Sequence, residues 1–148
     1  MTLPLTAIVN ARLAGRPGLY RVAMADGRFS AIDAQAASQS AAADELDAGG
    51  NLLLSPFVEP HIHLDAALTA GEPRWNQSGT LFEGIECWGE RKAMLSRDDV
   101  VSRAEQTLKL FAAHGIQYVR THVDVTDPQL TALRAMVEVR ERVREFVD

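Results

Sequence analysis

The sequence predicts an α/β fold in which a small β segment, residues 1–50, is followed by alternating strands and helices over residues 51–148. Short strand-like runs fill the first fifty residues, which end at the turn-forming pair Gly49-Gly50. After this pair the hydrophobic spacing changes to strand, helix, strand, helix. This order is typical of an α/β sheet with parallel strands.

The first segment is predicted to contain three short strands. Asp26-Gly27 is a strong hairpin signal between the second and third strand, because glycine adopts positive φ without steric cost. Residues 31–43 include seven alanines together with Ser and Gln, so we expect a connection there. The predicted strands cover residues 6–13, 19–24 and 28–32.

The second segment opens with a predicted strand over residues 52–63, although Pro56 and Pro60 limit the regularity of its hydrogen bonds. Thr80-x-x-Glu83 matches a capping box and predicts a helix start. One face of that helix carries Leu81, Ile85 and Trp88.

Two further helices and a strand are predicted after residue 95. Ser96-x-x-Asp99 predicts the start of the second helix and Gly115 its end. A strand follows over residues 116–125, and Thr126-Asp127-Pro128 then predicts the start of the last helix. The expected buried stripes are Val100, Ala104, Leu108 and Phe111 on the second helix, and Leu130, Leu133 and Val137 on the last.

Composition and charge exclude several classes of protein. The 148 residues carry 15 Lys+Arg and 20 Asp+Glu, which gives a net charge of −5. Nucleic acid and anionic membranes bind proteins that carry a dense positive charge. Apolar runs are too short for a membrane span, and the first residues show no signal-peptide pattern. The single cysteine, Cys87, cannot form an internal disulfide. We therefore expect a soluble cytoplasmic protein without nucleic-acid or membrane partners.

Residues His61 and His63 carry the strongest chemical signal in the chain. In a strand, side chains two residues apart point to the same face about 7 Å apart. Two imidazoles there can converge on one cation about 2 Å from each nitrogen. The same alternation places Glu59 and Asp65 on the histidine face, and it places the apolar residues Val58, Ile62 and Leu64 on the opposite face.

The alternative to a metal site is that two histidines lie two residues apart by chance. The position of the pair at the C-terminal end of a strand favours a site, because α/β folds build their sites there. So does the connection of about thirty residues before the helix capped by Ser96, which is far longer than a structural loop.

The strand predicted over residues 116–125 repeats this pattern, with Tyr118, Arg120, His122 and Asp124 on one face. We interpret His122 and Asp124 as candidate pocket-lining or supporting residues. The alternative is a core histidine that is hydrogen-bonded to Asp124 or to a backbone carbonyl. His114, by contrast, follows the second helix, where its partial charge suits the helix dipole, and we expect a structural role.

The long connection contributes weaker candidates. Trp75, Asn76 and Gln77 offer an aromatic ring and two amides that suit a flat heterocycle, although polar loop residues are usually solvated. Leu81 is a candidate pocket residue or simply a helix-packing residue. Cys87 lies in an amphipathic helix without a nearby histidine in sequence, so we do not expect a nucleophile.

Four stretches together resemble the amidohydrolase superfamily and, within it, the bacterial cytosine deaminases. The motif PHIHLD at residues 60–65 is similar to the opening of the superfamily barrel. The longer stretches WNQSGTLFEGIE at 75–86 and GIQYVRTHVDV at 115–125, together with IVNARL at 8–13, resemble the cytosine deaminases more specifically. The resemblance runs essentially from end to end of the chain.

This resemblance implies a (β/α)8 barrel beside a small β-sandwich, one divalent metal ion (Fe²⁺ or Zn²⁺), and hydrolysis of cytosine to uracil and ammonia in pyrimidine salvage. His61 and His63 map onto two metal ligands of the family. The remaining ligands, the proton shuttle and the substrate-orienting glutamine come from later strands of the family, so no catalytic residue is assigned within residues 1–148. The family also tends to form homo-oligomers.

A closed barrel of eight units needs about 250 residues, and the 98 residues after the first fifty hold roughly two units. We therefore expect an N-terminal part of an enzyme that is inactive alone. Two alternatives stay open, namely an amidohydrolase acting on another ring amine or cyclic amide, such as an aminotriazine or hydantoin-like compound, and a non-catalytic truncated product. Reading the coding region past Asp148 would discriminate between the enzyme and the truncated product.

Overall fold

The structure, a computed structural model, describes residues 4–148. The chain divides into two compact units, with the boundary in sequence between Ser55 and Pro56. Within residues 4–148, helices that are both long and apolar enough to cross a membrane are absent.

The first unit is a five-stranded mixed sheet. Its strands are β1 (Ala7–Leu13), β2 (Leu19–Ala25), β3 (Arg28–Gln35), β4 (Glu45–Asp47) and β5 (Leu52–Leu53). β1, β2 and β3 are antiparallel neighbours, whereas β4 and β5 both pair parallel to β1. Asp26 and Gly27 form the β2–β3 turn with φ of 52° and 71°, which confirms the predicted hairpin. β3 extends to Gln35, into the alanine-rich stretch that was expected to be a connection.

The buried amide of Asn10 organises this sheet. Asn10 lies at the irregularity of β1 with φ of 56°, a conformation in which asparagine is better tolerated than most residues. Its Nδ2 donates to the Asp47 Oδ1 and to the Gln39 carbonyl, both at 2.7 Å. Its Oδ1 accepts from the Gln39 N–H at 2.8 Å, and its own N–H donates to the Gln35 Oε1 at 2.7 Å. One side chain therefore joins β1 to the ends of β3 and β4.

The second unit alternates strands and helices, as the sequence predicts. Its elements are β6 (Phe57–Ile62), α1 (Leu81–Lys92), α2 (Arg97–Ala113), β7 (Ile116–Thr121) and α3 (Thr131–Val143). β6 and β7 pair in parallel. The single strand predicted over 52–63 is wrong, because β5 pairs with β1 in the first unit and β6 pairs with β7 in the second. β7 also ends four residues earlier than predicted.

Helix α2 forms the centre of the core of this unit. Ser96 caps it as predicted, with its Oγ accepting from the Asp99 N–H at 3.2 Å. Val100, Ala104 and Leu108 are buried and Phe111 packs against them, which confirms the predicted stripe. α2 also buries Val101, and the remaining core comes from the segment after β6, from α3 and from the C-terminal residues, namely Leu64, Ala135, Met136, Val139, Val143 and Val147.

The predicted start and inner face of α3 are both wrong. The Asp127 carboxylate accepts from the N–H groups of Gln129 and Thr131, which forms a turn before the helix. Leu130 then adopts φ of 54°, and α3 begins only at Thr131. The helix packs on its other apolar face against α2: Ala132, Ala135, Met136, Val139 and Val143 are buried, whereas Leu133 and Val137 are exposed.

Helix α1 is capped by Thr80, as predicted, but it buries a different face from the one that carries Leu81 and Ile85. Cys87 and Arg91, one turn apart, are its buried residues. Leu81 and Ile85 are exposed.

A buried ion network holds the segment that follows β6. The Asp99 carboxylate accepts from Arg91 Nη2 at 2.8 and 2.9 Å and from Arg103 Nη2 at 2.9 Å. Arg103 Nη1 also donates to the carbonyls of Asp65 and Ala67, at 2.9 and 2.6 Å. Because both arginines are buried, their charge needs partners: Asp99 pairs with both, and Glu72 Oε2 accepts from Arg91 Nε at 2.9 Å.

We predict that Asn10→Ala destabilises the first unit by about 2–4 kcal/mol, because it leaves buried partners unpaired and places alanine at positive φ. Native-state hydrogen exchange of the β1 and β2 amides measures this change. Asn51→Ala is the matched control, since Asn51 is exposed and its amide makes one hydrogen bond, to the Ala48 carbonyl. Equal loss of protection in the two variants would contradict the role assigned to Asn10.

We predict that the Asp99 carboxylate makes the second unit sensitive to acid. The hydrogen bonds from Arg103, then those from Arg91, hold the pKa of Asp99 below its ordinary value of 3.8, against the effect of burial. A carboxyl whose pKa is lower in the folded state stabilises the fold above its unfolded pKa, and this stability is lost as the pH falls through the folded pKa. Asp99→Asn should therefore cost about 2–4 kcal/mol at pH 7 and progressively less below pH of about 4.

Urea unfolding followed by tryptophan fluorescence at pH 7, 5 and 3 measures this dependence. Asp98→Asn provides the control, because the Asp98 side chain is 88% exposed and pairs only with the exposed Arg97 among the described residues. We expect the control to change stability by about 0.5 kcal/mol or less at each pH. Parallel curves for the wild-type chain and Asp99→Asn would refute the assignment.

Candidate functional site

Three histidine rings meet where β6 and β7 end. His61 lies in β6, His63 directly follows β6, and His122 directly follows β7. The ring centroids of His61 and His63 are 5.7 Å apart. The His122 centroid lies 4.0 Å from that of His61 and 5.9 Å from that of His63. The two histidines singled out for metal binding therefore lie close together, beside the candidate supporting residue His122.

Hydrogen bonds between the two strand ends hold the rings together. The His122 N–H donates to the Ile62 carbonyl at 2.7 Å, and the Leu64 N–H donates to the Thr121 Oγ1 at 3.2 Å. Ile62 and Leu64 pack into the core, as the strand alternation predicts. Because β6 and β7 are parallel, both place their carboxyl ends at this edge.

Two neighbours of the pair differ from the strand pattern. Val58, expected on the buried apolar face, is 62% exposed. Glu59 turns its carboxylate to its own strand, where Oε1 accepts from the His61 N–H at 3.0 Å. The alternation therefore holds for the end of β6 and not for its beginning.

Asp65 lies outside the strand alternation, because β6 ends at Ile62 and the chain then turns. Its side chain is 0% exposed, whereas that of His63 is 50% exposed. Oδ2 accepts from the Asp124 N–H at 2.9 Å. Oδ1 lies 3.7 Å from His63 Nδ1 and has no hydrogen-bond partner among the described residues.

The spacing of His61 and His63 is compatible with a shared cation. Two imidazoles that bind one tetrahedral cation about 2 Å from each nitrogen have ring centres about 5 Å apart. His122 is different, since its ring lies in contact with that of His61 and tilts by 36°. It therefore packs on a candidate ligand.

Burial, followed by the nearby charges of His61, His63 and Arg120, lowers the pKa of His122. A lower pKa favours the neutral ring at physiological pH. Within residues 4–148, a group of three or more His, Cys, Asp or Glu side chains arranged to hold a metal ion is absent. The histidine pair thus fits a metal as part of a ligand set that residues 4–148 do not complete.

Asp124 connects helix α1 to the end of β7. Its Oδ2 accepts from Trp88 Nε1 at 2.8 Å and from Lys92 Nζ at 3.0 Å, and its Oδ1 accepts from the Thr126 N–H at 2.8 Å. Hydrogen bonds hold the pKa of the Asp124 carboxyl well below its usual range, and the bond from the Thr126 hydroxyl contributes most. The carboxyl is therefore ionised. Sequence reasoning missed Trp88 and Lys92 as its partners, because nothing local marks a contact between residues more than thirty positions apart.

The remaining candidates are placed less distinctly. Gln77 and Leu81 are exposed, Gln77 in the long connection and Leu81 at the start of α1. Asn76 stabilises that connection, since its Nδ2 donates to the Thr80 carbonyl at 2.9 Å and its Oδ1 accepts from the Gly79 N–H at 2.8 Å. His114 Nδ1 lies 2.7 Å from the Leu110 carbonyl at the end of α2, which confirms its structural role.

Comparison with known proteins supports one family. The chain is 51% identical to the crystallised 5-methylcytosine deaminase from Klebsiella pneumoniae liganded with 5-fluorocytosine, with a TM-score of 0.90 over 96% of this chain and 34% of that one. It is 28% identical to the N-isopropylammelide isopropyl amidohydrolase of Pseudomonas sp. (strain ADP), over 95% of this chain and 36% of the relative. It is 30% identical to the pterin deaminase of Rhizobium rhizogenes (strain K84 / ATCC BAA-868), over 97% and 32% respectively.

The chain thus spans about a third of the length of these relatives, and in the 5-methylcytosine deaminase it matches the N-terminal region. The family model that matches it, described as "Amidohydrolase family", covers residues 44–145. That range includes β6, β7 and all three clustered histidines. On this match, the chain belongs to the amidohydrolase family.

Proposed function

We propose that this chain is the N-terminal part of a metal-dependent deaminase that hydrolyses the amino group of cytosine or of a closely related pyrimidine, releasing ammonia. The observation that carries the proposal is the 51% identity to a 5-methylcytosine deaminase whose structure holds 5-fluorocytosine. The pair of imidazoles at the end of β6 supplies a chemical reason for this activity. Pyrimidine salvage in the cytoplasm, by a homo-oligomer of the complete protein, is the biological setting that we propose.

The proposed architecture follows from the same match. In this proposal, β6, α2, β7 and α3 belong to the first two units of a (β/α)8 barrel, with α1 inserted after the first strand. Residues 1–50 would belong to a small β-sandwich, and residues 51–148 to the barrel. The parallel pairing of β6 and β7 and the packing of α2 against the strand ends support this arrangement.

In the proposed site, His61 and His63 would hold one divalent ion, Fe²⁺ or Zn²⁺. When bound there, such an ion would supply activation of water for hydrolysis. His122 orients His61 by packing on its ring. Asp124 keeps α1 against the segment that follows β7, through its hydrogen bonds from Trp88 and Lys92.

A second candidate function is hydrolysis at another ring amine. The N-isopropylammelide hydrolase and the pterin deaminase match this chain over nearly its whole length. Their names describe substrates other than cytosine, so the fold of this segment accommodates more than one heterocycle. The higher identity to the 5-methylcytosine deaminase favours a pyrimidine.

We predict that the 148-residue chain binds a divalent metal ion through His61 and His63. Titration of the metal-free chain with Co²⁺, followed by its visible absorption, should show binding that His61→Ala/His63→Ala weakens by about 100-fold or more, since loss of a supporting partner alone costs 10–100-fold. His114→Ala is the matched control, because His114 is exposed at the far end of α2 and serves its C-cap. Unchanged Co²⁺ affinity in the double variant would remove both histidines from the ligand set.

We predict that the 148-residue chain releases no ammonia from cytosine, because two imidazoles leave the ion under-ligated and the described residues complete no further ligand set. A chimera that joins residues 1–148 to the rest of the Klebsiella 5-methylcytosine deaminase should deaminate cytosine or 5-methylcytosine. His61→Ala in this chimera should lower kcat/KM by about 100-fold or more.

A coupled ammonia assay measures both proteins under the same conditions. Turnover by the metal-loaded chain alone would overturn the first expectation. A folded chimera that binds metal and fails to turn over, or that keeps its rate after His61→Ala, would overturn the proposed role of the chain.

A further inference from the structure

The side chain of Asp65 is the most unusual polar group in the second unit. It is completely buried and lies two residues after His63. One oxygen, Oδ2, accepts from the Asp124 N–H, and the other, Oδ1, has no hydrogen-bond partner in the described part of the chain. A buried acceptor without a partner destabilises the fold, so pairing with a neighbouring donor would be favourable.

The donor in position to do so is the ring of His63. Its Nδ1 lies 3.7 Å from Asp65 Oδ1, which is beyond hydrogen-bond length. His63 is half exposed, so its ring can turn, whereas Asp65 is fixed by its surroundings. A small rotation of the imidazole therefore brings Nδ1 into hydrogen-bond range.

We propose that Asp65 is a positioning residue that sets the tautomer of His63. By accepting a hydrogen bond from Nδ1–H, its carboxylate keeps the proton on Nδ1 and leaves Nε2 with a free lone pair for a divalent cation. Metal-binding histidines commonly donate their second ring N–H to such a carboxylate, which fixes the ring and raises its basicity. This inference rests on the proposed function of His63 as a metal ligand.

The fold holds Asp65 rigidly for this role. Its carbonyl accepts from Arg103 Nη1 at 2.9 Å, and Arg103 is itself bound by Asp99 on the same helix. Its Oδ2 is tied to the N–H of Asp124, beyond the end of β7. The free oxygen consequently points to His63 from a backbone that is fixed at both sides.

Asp65→Asn separates this role from packing. Asparagine has the same shape, and its carbonyl oxygen can still accept from the Asp124 N–H. Its NH₂ group then takes the place of Oδ1 and presents a donor to His63. A donor at this position favours the tautomer with the proton on Nε2, the reverse of the wild-type arrangement. A structural role of Asp65 that did not involve His63 would leave the tautomer unchanged.

The tautomer can be read directly from long-range ¹H–¹⁵N correlation spectra of the metal-free chain at pH 8. In the wild-type chain we expect His63 to carry its proton on Nδ1. In Asp65→Asn we expect the proton on Nε2. Glu59→Gln is the control, because Glu59 contacts the His61 N–H and should leave the His63 tautomer unchanged.

If Asp65→Asn does not fold, the wild-type spectrum alone tests the role of Asp65. A His63 proton on Nε2 in the wild-type chain would overturn the inference. An unchanged tautomer in a folded Asp65→Asn would overturn it as well. Titration with Co²⁺ gives a second measurement, in which Asp65→Asn should weaken binding about 10–100-fold. If His61→Ala/His63→Ala leaves Co²⁺ binding intact while the tautomer responds to Asp65→Asn, the metal proposal fails and the positioning role of Asp65 stands.

Discussion

The parallel pairing of β6 and β7 is the constraint on which the candidate site depends. The hydrogen bond from the His122 N–H to the Ile62 carbonyl joins the two strand ends, and it places residues about sixty positions apart side by side. His61, His63 and His122 meet only because of this pairing. An antiparallel arrangement would carry the same histidines to opposite edges of the sheet, where they would form no common space.

Behind the histidines, buried charges hold the chain in place. Asp65 and Arg103 are both buried, and their positions are linked through the Asp65 carbonyl and through Asp99. Groups of this kind destabilise a fold unless they are paired, so each one restricts where its neighbours can lie. The result is a rigid backbone immediately after His63, with a half-exposed ring in front of it. This combination suits a site in which a side chain must adapt to a ligand while its anchor stays fixed.

Local patterns in the sequence predicted the elements better than their packing. The hairpin at Asp26-Gly27, the Ser96 cap and the buried stripe of α2 depend on neighbouring residues, and all three are confirmed. The inner face of α3 was wrong because the helix carries two apolar faces, and hydrophobic spacing alone does not decide which of them packs against α2. The strand predicted over 52–63 forms two strands in the structure, because its two parts pair with different partners. Hydrophobic alternation does not indicate which strand a segment pairs with.

The site shows the same division between local and long-range information. The i and i+2 spacing of His61 and His63 was visible in the sequence, since strand geometry alone relates the two side chains. The partners of Asp65 were not visible, because strand alternation was extended past Ile62, where β6 ends. Contacts such as Trp88 with Asp124 and Arg103 with the Asp65 carbonyl join separate elements, so only the folded chain reveals them. The residues that could bind a ligand are thus marked by local spacing, whereas the residues that would orient them are set by tertiary structure.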